Sequence, residues 1–187
     1  VMTGAPGSGK TTVAPLVAKI LISTTDARIW LGPEAATTLM NGFRAATAAS
    51  TVDPYRLQLA FFTVQKAIEE AYMNLAQQYS TPTYILLDRG LGDGQDYTDP
   101  QIWQRLMTSE RTTTHLLTKR YRLMIHLQTT ATDPTLAASY SFGAGSSNPA
   151  RLHNVTAARQ AETATRRRCS ALPGYRFVPC MADINDK

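Results

Sequence analysis

A nine-residue stretch near the start of the chain carries the clearest chemical signal. Residues 4–12 read GAPGSGKTT, which is the phosphate-loop pattern of Gly, four residues, Gly, Lys and then Ser or Thr. Glycines at these positions let the backbone curl around a phosphate with its N–H groups pointing inward. The N-terminus of a following helix adds the positive end of its dipole. The pattern predicts that the phosphates of a nucleoside triphosphate are bound by Gly4, Ala5, Pro6, Gly7, Ser8, Gly9, Lys10, Thr11 and Thr12.

Two of these residues have specific expected roles. Lys10 would reach the outer phosphates as a point charge, and the Thr11 hydroxyl would hold a Mg²⁺ ion that bridges them. The expected cofactors are therefore Mg²⁺ and either ATP or GTP, because the pattern does not indicate which base is bound.

A second charged pair follows an apolar run at 83–87, TYILL. Asp88 closes this run, and a carboxylate in that position is expected to organise Mg²⁺ directly or through water. Arg89 presents a fork-shaped donor that suits a phosphate or carboxylate of a second substrate. An ion pair at the domain surface is an equal alternative for Arg89.

Glu34 and Arg151 are further candidates for the site. Glu34 follows a short apolar run and Gly-Pro, so it could act as a base or in the metal shell, or simply begin a helix. Arg151 follows a Gly- and Ser-rich segment at 139–149, which we expect to be a mobile loop. It could swing over the triphosphate and stabilise charge on the transferring phosphoryl group.

Other polar residues are expected to be structural. Asp93 and Asp96 lie in a glycine-rich loop, where acids are more often turn formers than substrate contacts. His126 lies inside an apolar run, and a hydrogen-bonded core histidine is the favoured interpretation. The histidines and the two cysteines, Cys169 and Cys180, lack the spacing of a zinc site.

The elements that must position these residues alternate between strand and helix. Besides the residues before the loop, strands are predicted at 27–31, 83–87, 122–127 and 175–178. Helices are predicted at 12–22, 34–40, 53–79, 100–107, 112–119 and 151–168. This order predicts an α/β fold in three layers, with a parallel sheet of about five strands and helices on both faces. Ligands bind at the carboxyl ends of such strands, so Lys10, Glu34 and Asp88 should lie close together.

Length and composition bound the organisation of the chain. Its 187 residues, 43% of them hydrophobic and 18% charged, suit one nucleotide-binding domain over 1–187. Three residues precede the loop where a strand usually supplies about five or six, so we expect a fragment of a longer protein. No apolar run of membrane-spanning length and no signal-peptide pattern is seen. The default expectation is a cytoplasmic protein without a transmembrane segment, although residues in front could carry a targeting signal.

The formal net charge of +5 is unevenly distributed. Basic residues cluster near the C-terminal end of the chain, at Arg151, Arg159, Arg166, Arg167 and Arg168. A solvated helix face and binding of nucleotide phosphates are the main alternatives, ahead of an anionic membrane. Nucleic acid is an unlikely partner, because no aromatic residues are interleaved with the arginines.

Six segments together resemble the NadR-like AAA domain family, which includes kinase-like domains of NadR regulators and the nucleotide-binding domain of TRPL-translocation-defect proteins. They read TGAPGSGKTT, GPEAATTLMNGF, LLDRGLGDGQDY, YRLMIHLQTTA, SYSF and NPAR. The resemblance extends over 1–186 and implies a kinase-type P-loop NTPase fold that binds ATP or GTP with Mg²⁺. It places six residues at the family's motif positions: Lys10, Thr11, Glu34, Asp88, Arg89 and Arg151.

The resemblance also implies partners. The translocation-defect branch is associated with GTP and phosphoinositide binding, which makes an anionic lipid a candidate partner beside a protein. One departure concerns the expected lid, where the family has Arg, a small residue and Glu. This chain has Arg151, Leu152 and His153 there.

Three functional hypotheses follow. The leading one is a kinase-like domain that binds Mg-ATP or Mg-GTP and hydrolyses it or transfers its γ-phosphoryl group. A second is a regulatory module that binds a protein or phosphoinositide with little turnover. A third is a small-molecule kinase with a nucleoside-like acceptor. The sequence alone does not decide whether the protein is an enzyme.

Overall fold

A computed structural model of the protein describes residues 1–44, 52–141 and 154–181. Within these ranges the strands are β1 (Met2–Thr3), β2 (Arg28–Gly32), β3 (Thr83–Leu87), β4 (Met124–Leu127) and β5 (Tyr175–Val178). The α-helices are α1 (Lys10–Thr24), α2 (Ala35–Arg44), α3 (Pro54–Ala76), α4 (Pro100–Ser109), α5 (Thr114–Thr118) and α6 (Val155–Cys169). Short 3-10 helices lie at Asp93–Tyr97, Thr130–Thr132 and Ala137–Ser139.

The strands are parallel and form two ladders, β2-β3 and β1-β4-β5. β2 pairs with β3 over their full length, and β4 pairs with β1 on one side and β5 on the other. The two ladders meet where Met2 bridges to Asp88, and Arg89 N donates to Met2 O over 2.9 Å. This sheet confirms the predicted α/β fold class with parallel strands.

Local sequence explains where the long helices begin. The Asp53 carboxylate accepts a hydrogen bond from Arg56 N, and Pro54 occupies the first position of α3. Asp99 and Pro100 begin α4 in the same way, and Asn154 caps α6 by accepting from Ala157 N. These caps satisfy backbone donors that a helix start would otherwise leave unpaired.

Two apolar clusters of buried residues pack the helices, the first of them against the sheet. Met2 and Leu127 pack with Val13 and Ala14 of α1. Helix α3 contacts β2 and β3, and residues of α3, α4 and α5 form a second cluster, whose buried members are Phe62, Leu91, Trp103, Leu106, Met107 and Leu117. Leu91 ties the segment after β3 into this cluster, and so fixes the chain just beyond Asp88 and Arg89.

Most predicted elements are confirmed, with shifted ends. The predicted strands at 83–87 and 175–178 match β3 and β5, whereas β4 begins two residues later than expected and α5 is shorter. Helix α1 runs through Pro15. None of the helices in the described ranges has both the length and the apolar character that crossing a bilayer requires.

Candidate functional site

The phosphate-loop residues connect β1 to α1 in a conformation that requires glycine. Gly4 has a φ of 137° and Gly7 a φ of 78°, a region that L side chains rarely adopt. A Cβ atom on Gly4 would lie 2.3 Å from Leu127 O, and one on Gly7 would lie 2.7 Å from the Tyr140 ring. The loop ends at Gly9, the N-cap of α1, so the positive end of this helix faces the loop.

Lys10 lies against the inner side of this loop. Its side chain is buried, and Nζ donates to Gly4 O over 2.9 Å, to Ala5 O over 3.3 Å and to Ser8 Oγ over 3.1 Å. Burial lowers the pKa of Lys10 to about 8, and the nearby Arg89 guanidinium acts in the same direction. The ammonium group is thus the buried cation of the loop.

Thr11 and Asp88 come together from different elements. Thr11 Oγ1 donates to Asp88 Oδ2 over 2.9 Å, which joins the start of α1 to the end of β3. Burial raises the pKa of Asp88, against the opposing effect of the Lys10 ammonium. Asp88 Oδ1 is buried and accepts no hydrogen bond from the described residues. A free carboxylate oxygen beside a hydroxyl is a donor set that suits Mg²⁺.

Arg89 makes the centre of a polar cluster beside the loop. Its Nε bonds to the Glu34 carboxylate, and its Nη1 donates to Gly4 O over 3.3 Å and to Tyr97 Oη over 2.9 Å. The guanidinium also lies over the Tyr97 ring, 4.7 Å from its centroid. Arg89 therefore connects the loop, the segment after β2 and the 3-10 helix after β3.

Glu34 is held as a carboxylate. Burial on its own would raise the pKa of Glu34, but the positive charges of Arg89 and Lys10 outweigh it and set the pKa at about 2. Its second oxygen accepts from Thr37 Oγ1 over 2.5 Å. A carboxylate with this pKa and these partners is a weak proton acceptor.

A cavity of about 700 Å³ between the loop and the helices α2 and α3 is lined by Lys10, Thr11, Glu34 and Arg89, but not by Asp88. At one end lie Lys10, Thr11 and the loop backbone. The remaining lining includes the aromatic rings of Phe61, Phe62, Tyr97 and Trp103 and the amide side chains of Asn41, Gln58 and Gln65. The cavity thus has a phosphate-type end and an apolar end that carries amides.

A buried ion-pair network, not expected from the sequence, supports the floor of this cavity. Arg168 Nη2 lies 2.9 Å from Asp93 Oδ1 and 2.8 Å from Asp96 Oδ2. Asp93 also accepts from Thr3 Oγ1 over 2.7 Å, and Asp96 from Thr165 Oγ1 over 2.7 Å. The two acids are therefore anchors of the 3-10 helix that carries Tyr97, and not only turn formers. No local signal in the sequence pairs them with an arginine so far along the chain.

This network changes the interpretation of the arginine cluster. Arg168 is engaged inside the protein and is not part of a solvated face. Arg166 is exposed, with its guanidinium over the Phe177 ring at 4.5 Å, and Arg167 lies beside a surface depression along α6. Binding of an anionic lipid by this helix stays a prediction, with Arg166 and Arg167 as its basic residues.

His126 is a core histidine, as its apolar surroundings in the sequence suggest. It is fully buried, with Nδ1 2.9 Å from Tyr175 Oη and Nε2 3.0 Å from Glu162 Oε1. The other oxygen of Glu162 accepts from Thr129 N over 3.3 Å, and Thr129 Oγ1 donates to Pro6 O over 2.5 Å. This polar chain links β5 and α6 to the phosphate loop.

The structure thus brings together five of the predicted site residues: Lys10, Thr11, Glu34, Asp88 and Arg89. Arg151 and most of the predicted mobile loop lie outside the described residues. The cavity lining beside Arg89 also includes Tyr97 and Gln65, which were not predicted as site residues. Gln65 lies at the helical spacing of the apolar residues of α3. An amide at such a position is the one sequence feature that could have indicated a role in the site.

Comparisons with known proteins agree with this architecture. A family model described as an AAA domain matches residues 1–186. Among curated proteins, no sequence match is found. The crystal structure of thymidylate kinase from Ehrlichia chaffeensis is similar with a TM-score of 0.60 and 12% sequence identity, over 100% of this chain and 88% of that chain. Such low identity establishes the fold alone. The family match over nearly the whole length confirms the resemblance seen in the motifs, and the chain belongs to the AAA domain family.

Proposed function

We propose that this protein binds a Mg²⁺ complex of ATP or GTP and transfers or hydrolyses the γ-phosphoryl group. The contact between Thr11 and Asp88 carries the proposal. It places a hydroxyl and a buried carboxylate oxygen, which accepts no hydrogen bond within the described ranges, beside the loop that holds Lys10. Phosphoryl transfer relies on positioning and on neutralising charge, and this arrangement supplies groups for both.

The described residues divide these tasks. Lys10 and the N–H groups of the loop would hold the phosphates, while Thr11 and Asp88 would hold Mg²⁺, which when bound neutralises charge on the phosphate oxygens. Arg89 supplies positive charge where a second substrate would approach. Glu34 orients Arg89 through their ion pair, a role that its low pKa favours over proton abstraction. Arg151, which lies outside the described residues, is proposed as a lid residue from its place after the Gly- and Ser-rich segment and from the resemblance.

Calorimetric titration tests the nucleotide site. ATP and GTP, each with Mg²⁺, are titrated into the wild type, into Lys10→Ala and into the control Lys66→Ala. Lys66 lies on α3, 3.7 Å from Glu110 at the surface. We expect Lys10→Ala to weaken binding by about tenfold or more, with no change in the control. Unchanged affinity in Lys10→Ala would contradict the site, and the two titrations identify the base.

A second candidate function is a kinase for a small, nucleoside-like acceptor. The aromatic and amide end of the cavity favours it, because planar rings pack on aromatic side chains and amides pair with ring donors and acceptors. The thymidylate kinase from Ehrlichia chaffeensis has the same fold and is named for such an acceptor. The apolar end leaves room beyond the phosphates for a second molecule of this kind.

Release of nucleoside diphosphate decides between transfer and hydrolysis. Nucleosides and nucleoside monophosphates are screened for release above the rate without acceptor, and an active acceptor is then tested with Phe61→Ala. We expect Phe61→Ala to raise KM for the acceptor and to leave the Kd for Mg²⁺–nucleotide unchanged. If every acceptor leaves the background unchanged, the kinase candidate fails and hydrolysis remains.

A further inference from the structure

The backbone of Arg89 adopts a conformation that needs support. Its φ of 71° lies in the left-handed region, which is unfavourable for a residue with a Cβ atom. In this conformation the side chain reaches Glu34, Gly4 O and Tyr97 inside the cavity. Such a conformation persists only where surrounding contacts impose it.

Hydrogen bonds with three separate parts of the chain hold the backbone at Arg89 and just after it. Arg89 N donates to Met2 O over 2.9 Å, and Arg89 O accepts from Gln65 Nε2 over 3.0 Å. Leu91 N donates to Tyr121 Oη over 2.7 Å. Between them, Gly90 packs on the Tyr121 ring so closely that a Cβ atom would lie 2.8 Å from it. The N–H and C=O groups of Arg89 and the N–H group of Leu91 thus each have their own hydrogen-bond partner, and together these bonds set the direction of the Arg89 side chain.

A buried carboxylate holds two of these partners in place. Glu69 is 3% exposed, and its Oε1 accepts from Gln65 Nε2 over 3.1 Å and from Tyr121 Oη over 2.8 Å. A carboxylate only accepts, so the Tyr121 proton points to Glu69 and leaves the phenol oxygen to accept from Leu91 N. Arg120 lies 3.5 Å from the other oxygen. Glu69 and Tyr121 are not among the residues that line the cavity.

We propose that Glu69 and Tyr121 are positioning residues that act through Arg89, by holding its backbone so that the guanidinium faces the second substrate. The inference rests on the role proposed above for Arg89. Their hydrogen bonds end on Gln65, on Leu91 and on each other rather than on the phosphate loop. Changes in them should therefore affect the step that needs Arg89 and spare binding of Mg²⁺–nucleotide.

A first test follows Arg89 directly and needs no activity. The Nε–H resonance of Arg89 is observed in ¹⁵N–¹H correlation spectra and assigned by its loss in Arg89→Lys. Tyr121→Phe keeps the ring against Gly90 and removes the hydroxyl, so we expect this resonance to shift or broaden. The control Tyr55→Phe removes a hydroxyl bond from α3 to Ser109 of α4 and should leave the resonance unchanged. An Arg89 resonance that is the same in Tyr121→Phe and the wild type would overturn the proposal.

A second test measures whether the effects of substitutions at Tyr121 and Arg89 on turnover are coupled. We expect Tyr121→Phe to lower kcat/KM for the acceptor, or for hydrolysis, by about tenfold, with the Kd for Mg²⁺–nucleotide within about threefold of the wild type. In an Arg89→Ala background the same substitution should have no further effect. Full additivity in that background would show that Tyr121 does not act through Arg89.

The two tests separate this inference from the function on which it rests. If the wild type shows no turnover at all, the proposed activity fails, and the Arg89 resonance still decides whether the positioning role is correct. Glu69→Gln serves as a second variant if Tyr121→Phe does not fold. It should move the Arg89 resonance in the same way, and an unmoved resonance would count against the proposal.

Discussion

The pKa values of single charged residues at the cavity are set mainly by the surroundings of each residue. Lys10 and Glu34 are both buried, yet burial lowers the pKa of the ammonium to about 8, while neighbouring cations hold the carboxyl at about 2. Arg89 contributes to both shifts, because it repels Lys10 and attracts Glu34, although burial is the larger cause for Lys10. Each group should therefore leave a distinct pH signature, one in binding and one in stability.

Nucleotide binding should weaken above pH 8 because of Lys10. Phosphates favour the ammonium form, whereas in the free protein Lys10 loses its proton with a pKa of about 8. Binding at pH 9 should then take up a proton, and affinity should fall by up to about tenfold per pH unit. Titrations at pH 7 and 9, in buffers with different ionisation enthalpies, measure both. Lys10→Met should lose the dependence, and equal wild-type affinities at the two pH values would contradict the assignment.

Glu34 should contribute stability that is lost in acid. Its pKa is about 2 in the folded protein against an ordinary 4.5, so the contribution is fully present above pH 4.5. It declines as pH falls from 4.5 towards 2. Urea unfolding of the wild type and Glu34→Gln should differ more at pH 6 than at pH 3, by roughly 2 kcal/mol. A difference that is the same at both pH values would show that Glu34 is not stabilised as a carboxylate.

At the scale of elements, α6 supports the 3-10 helix Asp93–Tyr97, which contributes residues to the cavity lining. Its last turn carries Arg168, which binds both acids of the 3-10 helix Asp93–Tyr97. The same turn carries Arg167, which faces outward. Adjacent arginines on one helix thus have opposite environments, and this gives a matched pair for measurement.

Arg168→Ala should be strongly destabilising. It would leave Asp93 and Asp96 buried without their cation, and breaking a buried pair in this way costs about 3–5 kcal/mol. Arg167→Ala should change stability by no more than about 0.5 kcal/mol, as exposed substitutions usually do. Urea unfolding of both variants makes the comparison. Similar losses in the two would mean that the network contributes little.

At the scale of the whole molecule, the parallel sheet brings the ends of β1 and β3 to one place. Asp88 lies 77 residues after Thr11, but the side chains of Lys10, Thr11 and Asp88 share one site because the strands before them point the same way. A ligand at this site would contact several elements at once. Its binding should therefore be visible in global unfolding.

Mg²⁺–nucleotide should raise the melting temperature of the protein. A ligand at about one hundred times its Kd adds about 2.7 kcal/mol to the free energy of unfolding, which for a chain of this size is about 5–10 °C. Calorimetry with nucleotide, with and without EDTA, measures the shift. Removing the metal should abolish most of it, and Lys10→Ala should show a clearly smaller shift at the same nucleotide concentration. A shift of equal size in Lys10→Ala would place the ligand elsewhere.

The parts of the site that sequence could predict are those with local signatures. The phosphate loop is a single segment, and Asp88 follows an apolar strand, so their roles could be inferred from spacing. The partners of Arg168 and Tyr121 lie 75 and 52 residues away along the chain, as the Arg168–Asp93 and Tyr121–Glu69 bonds show. Pairings at such separations depend on how helices pack, which no local pattern records. The left-handed backbone conformation of Arg89 could not be predicted either, because an arginine in the sequence does not indicate such a conformation.

The polar chain through His126 limits how this protein can change over time. His126 and Glu162 are buried, and their polar neighbours are each other, Tyr175 Oη and the backbone N–H of Thr129. An apolar replacement at Tyr175, His126 or Glu162 would remove a polar neighbour of the next side chain, whereas replacing several together could be close to neutral. Substitutions along this chain should therefore arise in groups, so that these three positions covary among related sequences.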